Sequence, residues 1–167
     1  QTRFAEVTAV DLHAQPKRLT TADGDILAQT VIAATGAYPR ELGLPEEASL
    51  RGRGVSYCAA CDGMLYKDKS VVVAGGGNSA AEDALYLARL CRKVYLVHRR
   101  DNLRAAAVYR RALQDSAVEF LWNCRIAEIL HDERVTGVQL EDVHTGDRRA
   151  LACDGVFVAI GRVPDTA

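Results

Sequence analysis

Ser70-Val71-Val72-Val73-Ala74-Gly75-Gly76-Gly77-Asn78-Ser79-Ala80 is the stretch from which the fold can be read. Its first five residues are a short, mostly apolar run, the pattern of a parallel strand buried on both faces. Three glycines follow at once. From Asn78 the period becomes helical: Ala81, Ala84, Leu85, Ala88 and Cys91 share one face, and Glu82, Asp83, Arg89 and Arg92 fall elsewhere. Val94-Tyr95-Leu96-Val97 is a second apolar strand. Strand, glycine turn, helix and strand make a β-α-β unit, so the fold class is α/β with a parallel sheet.

The glycines have mechanical reasons. Gly75 permits the tight strand-to-helix turn, and Gly77 lets the backbone approach a pyrophosphate with no side chain in the way. Ala80 takes the third position of G-x-G-x-x-[GA], where a small residue lets helix and strand pack closely. Phosphates would sit on the free N–H groups of the helix N-terminus, where the dipole favours negative charge. The flanking strands and helix supply the context this motif requires for a dinucleotide. A plain tight turn is the alternative reading.

The tip of the second strand decides which dinucleotide. A site for NAD would carry Asp or Glu there to bind the ribose 2′-hydroxyl. This chain has His98-Arg99-Arg100, with Arg104 one helical turn further on. A guanidinium cluster clamps a 2′-phosphate through charge-assisted hydrogen bonds, so the residues point to NADPH. The alternative is a solvated basic patch.

A Cys58-Ala59-Ala60-Cys61 pair lies ahead of the glycine turn, followed by Asp62-Gly63. Its spacing lets two sulfurs bridge within one turn. A Cys-x-x-Cys near a helix start has depressed thiol pKa values, and the thiolate is the attacking species, so redox use is expected. A metal site would need two further ligands; there is no second such pair, and His13, His98, His131 and His144 are scattered, so no metal is expected. Two buried structural thiols are the other alternative. The remaining cysteines, Cys91, Cys124 and Cys153, stand singly, which fits a cytoplasmic protein and not a secreted disulfide framework.

The rest of the chain frames this centre. With 167 residues it has length for one full domain, or one domain and part of another. Apolar residues are 49% and charged residues 26%, and the net charge of −1 gives no reason to expect nucleic acid. No apolar run approaches the roughly 20 residues of a membrane helix, and no signal peptide opens the chain. The chain starts at Gln1 and its single methionine is Met64, which suggests a processed chain or an excised piece. Phe4 to Leu12 alternates apolar and polar, Asp23-Gly24 signals a tight turn, and Ile26 to Ala34 reads as an apolar strand ending at Thr35-Gly36. Residues 37–57, punctuated by Pro39, Gly43, Pro45, Gly52 and Gly54, read as a linker, and Gly52 and Gly54 as a candidate hinge. Residues 102–123 predict a helix and then a strand over Val118 to Trp122. Residues 125–160 alternate like a β-meander with turns at Thr136-Gly137 and Thr145-Gly146-Asp147. Thr30–Gly36 and Gly155–Gly161 look like a repeat: two glycine-capped apolar strands, each following a meander.

In combination, Cys58-Ala-Ala-Cys61-Asp62-Gly63, Gly75-Gly-Gly-Asn78-Ser79-Ala80, His98-Arg99-Arg100-Asp101 with Arg104-Ala105, Ala34-Thr35-Gly36-Ala37 and Val158-Ala159-Ile160-Gly161 resemble the low-molecular-weight thioredoxin reductases. The resemblance spans nearly the whole chain. NADH-dependent relatives that reduce peroxiredoxins resemble it less, because they lack the His-Arg-Arg cluster. The resemblance implies a Rossmann-like, three-layer NADPH-binding domain over 51–161, carrying the redox pair, with part of a related FAD-binding domain over 1–50 and a return to it over 162–167. It implies electron flow from NADPH through FAD to the Cys58–Cys61 disulfide and on to thioredoxin, in a homodimer. Cys61 would face the flavin, Cys58 would exchange with thioredoxin, and Asp62 would be the acid that protonates a departing thiolate or the flavin. A helix N-cap is the plainer role for Asp62. The cofactor-binding positions are then Gly75, Gly77, Asn78, Ser79, Glu82, His98, Arg99, Arg100, Arg104, Ile160 and Gly161, with Thr35 and Gly36 beside them. The family's first G-x-G-x-x-G and its closing Gly-Asp element have no counterpart here, so the chain alone is expected to bind FAD poorly and to be inactive as a reductase. An NADPH-sensing module, or a related dithiol oxidoreductase with another partner, is the competing expectation.

Overall fold

A computed structural model describes residues 2–166. Gln1 and Ala167, the outer limits of the 1–50 and 162–167 assignments, lie outside the described residues. In chain order the elements are β1 (Val7–Asp11), β2 (Lys17–Thr21), β3 (Gly24–Ala28), β4 (Ala37–Pro39), β5 (Val55–Ser56), α1 (Ala59–Asp62), a 3₁₀ turn (Gly63–Tyr66), β6 (Ser70–Gly75), α2 (Asn78–Leu87), β7 (Lys93–His98), α3 (Ala107–Gln114), β8 (Glu119–Trp122), β9 (Cys124–His131), β10 (Val135–Asp142), β11 (Arg148–Ala152), β12 (Gly155–Ala159) and β13 (Arg162–Pro164). The chain divides into two compact units between Gly36 and Ala37.

The first unit is an antiparallel three-stranded meander, β1-β2-β3. The turn between β2 and β3 falls at Ala22-Asp23, one residue before the expected Asp23-Gly24, and Gly24 opens β3 at φ +112°, with Thr21 Oγ1 donating to its carbonyl at 2.7 Å. The strand expected over Ile26 to Ala34 stops at Ala28, and residues 30–36 pair with no strand among the described residues. A strand exists through its ladder, and apolar composition alone does not hold one: Ile32 is 91% exposed. The expected repeat of two glycine-capped strands therefore fails at its first member.

The second unit has three layers. A parallel sheet of order β5-β12-β6-β7-β8 forms the middle. Each central strand alternates between two cores. Val71, Val73, Leu96 and Phe157 pack with Ala80, Ala81, Ala84 and Leu87 of α2 and Leu113 of α3. Val72, Ala74, Val97, Val156 and Val158 pack on the other face with Ile126, Ile129, Val138 and Leu140 of the β11-β10-β9 meander. A strand buried on both faces shows no polar alternation, which is why Val71-Val72-Val73 is continuous.

Three expectations in this unit need correction. Residues 37–57 are not a linker: β4 pairs with β13, β5 pairs with β12, and Leu50 and Val55 are each 1% exposed. The prolines and glycines there mark turns between anchored residues. Thr136-Gly137 is not a turn but lies inside β10; the reversal falls at residues 132–134. Gly137 is needed for close approach, since a Cβ there would stand 2.7 Å from the Leu151 carbonyl oxygen. The meander expected over 125–160 ends at Ala152, and Gly155–Ala159 is β12, a parallel strand between β5 and β6.

Candidate functional site

The carboxyl ends of β5, β12, β6, β7 and β8 lie along one edge of the parallel sheet. The chain runs from β6 outward through β7 to β8, whereas β12 inserts on the opposite side of β6. The edge between β6 and β12 is therefore the topological switch point, where open α/β sheets bind ligands. Gly75 closes β6 there with φ +153°; a Cβ would lie 2.4 Å from the Ala159 carbonyl oxygen and 2.7 Å from the Ala80 Cβ. That contact explains both Gly75 and the small residue at position 80. At Gly77 a Cβ would meet nothing within 4 Å, so the backbone is open, and α2 begins after it with no side-chain cap. Its first N–H groups are free for an anion.

Gly76 has a reason that the motif did not reveal. A Cβ there would fall 2.2 Å from the His98 ring. His98, at the end of β7, is 8% exposed, contacts Trp122 edge-on, and has a buried Nε2 with no hydrogen-bond partner among the described residues. Burial lowers its pKa from the usual imidazole value, and Arg100 and Arg104 lower it further, against a backbone hydrogen bond at Asn102. Arg99, Arg100 and Arg104 are exposed, and among the described residues none forms an ion pair. Two hydrogen bonds strap their loop to the glycine turn: Arg104 N donates to the Gly76 carbonyl at 2.8 Å, and Ala106 N donates to Asn78 Oδ1 at 2.8 Å. Asn78 thus holds the arginine-bearing loop through its own side chain. Ser79 and Glu82 are exposed on the first turns of α2. Ile160 and Gly161 follow β12 at the same edge, the Gly161 carbonyl accepting from Arg40 N at 2.9 Å. Thr35 and Gly36 are exposed in the first unit.

Cys58 and Cys61 are joined as a disulfide at the carboxyl end of β5. One strand separates β5 from β6, which puts the two strand axes about 10 Å apart. Cys58 is the N-cap of α1, its Sγ accepting from Cys61 N at 3.2 Å; Cys58 is half-buried and Cys61 exposed. Asp62 does not cap a helix with its side chain. Its Oδ2 accepts from the hydroxyl of Ser56 at 2.7 Å. Behind the pair, the Glu47 carboxylate, 2% exposed, accepts from Tyr57 Oη at 2.7 Å and from Leu42 N and Gly43 N, each at 2.9 Å. Burial, with the Glu47 hydrogen bond, pushes the Tyr57 phenol up to about 12, so it remains a donor. Sequence reading missed Ser56 and Glu47, because nothing in composition or spacing says that a Ser or Glu will be buried. Among the described residues no group of three His, Cys, Asp or Glu side chains could hold a metal, and no helix is long and apolar enough to cross a membrane.

An open glycine turn, an arginine loop with no ion pair among the described residues and a bonded cysteine pair thus lie on one edge of the parallel sheet. The chain belongs to the pyridine nucleotide-disulphide oxidoreductase family, which matches it over residues 1–167. Within that family its similarity is to thioredoxin reductases. It is 45% identical to the thioredoxin reductase of Streptomyces clavuligerus over 163 residues, covering 96% of this chain and 51% of that protein. It is 44% identical to that of Treponema pallidum over 167 residues, covering 99% of this chain and 54% of the relative. The solved thioredoxin reductase from Giardia duodenalis superposes with a TM-score of 0.86 at 34% identity, over 98% of this chain and 54% of that one. The chain spans about half the length of the curated relatives it matches.

Proposed function

We propose that this chain is the nucleotide-binding and dithiol-bearing part of an NADPH-dependent thioredoxin-disulfide reductase. The observation that carries the reading is the Cys58–Cys61 disulfide on the same sheet edge as the glycine turn and the arginine loop. In this reading residues 51–161 bind NADPH, and 1–50 and 162–167 belong to the FAD side.

The residues suit NADPH in two independent ways: the Gly77 backbone is open where a pyrophosphate must approach, and His98 Nε2, beside the turn, is a buried polar atom without a partner among the described residues. Gly75, Gly77 and Ser79 hold the pyrophosphate against the start of α2. Arg99, Arg100 and Arg104 clamp the 2′-phosphate. His98 presents its ring to the nucleotide, Asn78 fixes the arginine loop, and Glu82, Ile160 and Gly161 border the site. Thr35 and Gly36, where a Cβ on Gly36 would meet nothing within 4 Å, offer open backbone to FAD. When bound, the nicotinamide and flavin together supply the electron pair that opens the disulfide.

The chain's own chemistry is thiol–disulfide exchange. Cys61 takes the flavin side. Cys58, as thiolate, attacks the disulfide of thioredoxin, and Cys61 then resolves the mixed disulfide. Asp62 gives a proton to the departing thiolate. Reduced thiols of this kind belong in the cytoplasm, and the working protein is a homodimer. Replacing Cys58 and Cys61 by Ser in the flavin-loaded holoprotein tests the reading. NADPH-dependent reduction of thioredoxin is expected to stop while NADPH binding persists; an unchanged rate would refute it.

A further inference from the structure

We propose that Ser56 is a positioning residue for the Asp62 carboxyl and fixes which of its oxygens delivers the proton during disulfide exchange. This deepens the reading of Asp62 as the proton donor and rests on it. Ser56 ends β5 and is 3% exposed, so its hydroxyl must be satisfied by protein. The Oγ lies 2.7 Å from Asp62 Oδ2 and 3.3 Å from the Cys58 carbonyl oxygen, and it accepts from Cys58 N at 3.1 Å. A hydroxyl has one proton to donate, and the shorter contact, to the carboxyl oxygen, takes it. The backbone of Asp62 is anchored in the same knot, its N–H donating to the Cys58 carbonyl at 3.1 Å. One buried side chain therefore binds both the first cysteine and the acid that follows the second.

The consequence is chemical. With Oδ2 engaged by Ser56, Oδ1 makes no hydrogen bond among the described residues and is the oxygen left to carry the acid proton. In exchange, an incoming thiolate attacks one sulfur of the Cys58–Cys61 disulfide. A new S–S bond forms, the old one breaks, and its electron pair goes to the departing sulfur. That thiolate takes the proton from Asp62 Oδ1. The resulting carboxylate retains the Ser56 hydrogen bond, which is stronger to the anion than to the acid. Ser56 thus acts by orienting the carboxyl, holding Oδ2 so that Oδ1 is the oxygen left free for the departing sulfur.

The test uses this chain, with dithiothreitol as the attacking dithiol. The rate at which Cys58–Cys61 opens is read by quenched alkylation and mass spectrometry. Ser56→Ala is expected to slow opening about tenfold, the scale of one charge-assisted hydrogen bond. Ser56→Thr, which keeps the hydroxyl, is expected to restore the rate. In an Asp62→Ala background, Ser56→Ala is expected to add nothing. If Ser56→Ala does not fold, Ser56→Gly removes the hydroxyl without adding a thiol and serves the same comparison. A normal rate in Ser56→Ala, or an equal slowing with and without Asp62, overturns the role of Ser56 alone. An unchanged rate in Asp62→Ala overturns the proton-donor reading beneath it.

Discussion

A thiol exchanges as its thiolate, and the cysteines of this chain differ in how far that form is suppressed. Burial pushes Cys91 up to about 11 and Cys153 up to about 12, and Cys124 is buried outright. After reduction, iodoacetamide at pH 8 is expected to label Cys58 and Cys61 well before Cys91, Cys124 and Cys153; peptide mapping that finds all five modified together contradicts this. Asp83, half-buried on α2, is a second case. Burial raises its carboxyl to about 6, the Glu82 charge adds to the rise, and Arg162 opposes it. A raised carboxyl pKa means that the folded state holds the proton more tightly. The associated stability is present below about pH 4 and is lost as pH climbs through 6. Asp83→Asn is therefore expected to be more stable than the parent at pH 7.5, by about 1–2 kcal/mol after solvent screening, and to match it at pH 4. Urea unfolding at the two values reads the difference. The sequence showed the type and spacing of the site residues at this scale. It did not show their burial, so Ser56, Glu47 and the enclosure of His98 emerged only from the fold.

At the scale of elements, the glycine turn and the strand beside it are one machined contact. Gly76 is glycine because the His98 ring occupies the place of a Cβ, 2.2 Å away. Gly76→Ala is expected to cost about 2 kcal/mol through overpacking, and His98→Ala should recover part of that loss. Thermal denaturation of the two single variants and the double variant checks the coupling; strictly additive losses would separate the residues. The β-α-β unit was legible because a buried parallel strand, a glycine turn and an amphipathic helix each leave a distinct pattern. Residues 30–36 and Thr136-Gly137 misled for a shared reason. An apolar run needs a partner strand to become β, and a glycine serves close backbone approach as readily as it serves a turn. Neither partner is encoded locally.

For the whole molecule, the contrast between the two compact units governs stability. Among residues 2–36 only Thr21 is buried, whereas the unit from Ala37 onward has apolar cores on both faces of its parallel sheet. Three strands with little buried surface hold few protected amides. Amide exchange is expected to be fast throughout β1–β3 and slowest at Val71–Val73, Leu96 and Val156–Val158, as read by mass spectrometry. Equal protection in both units would contradict this. The arrangement as a whole places an open glycine turn, and guanidinium groups without ion pairs among the described residues, on the edge that also carries the cysteine pair. That arrangement makes the choice between NADPH and NADH the property on which the proposed function turns. Its most direct test is a calorimetric titration of this chain with NADPH and with NADH, beside an Arg99→Ala, Arg100→Ala variant. NADPH is expected to bind at least about tenfold more tightly than NADH, with the variant losing that preference and keeping its NADH affinity. Equal affinity of the unaltered chain for the two dinucleotides would leave the arginine loop without its proposed role.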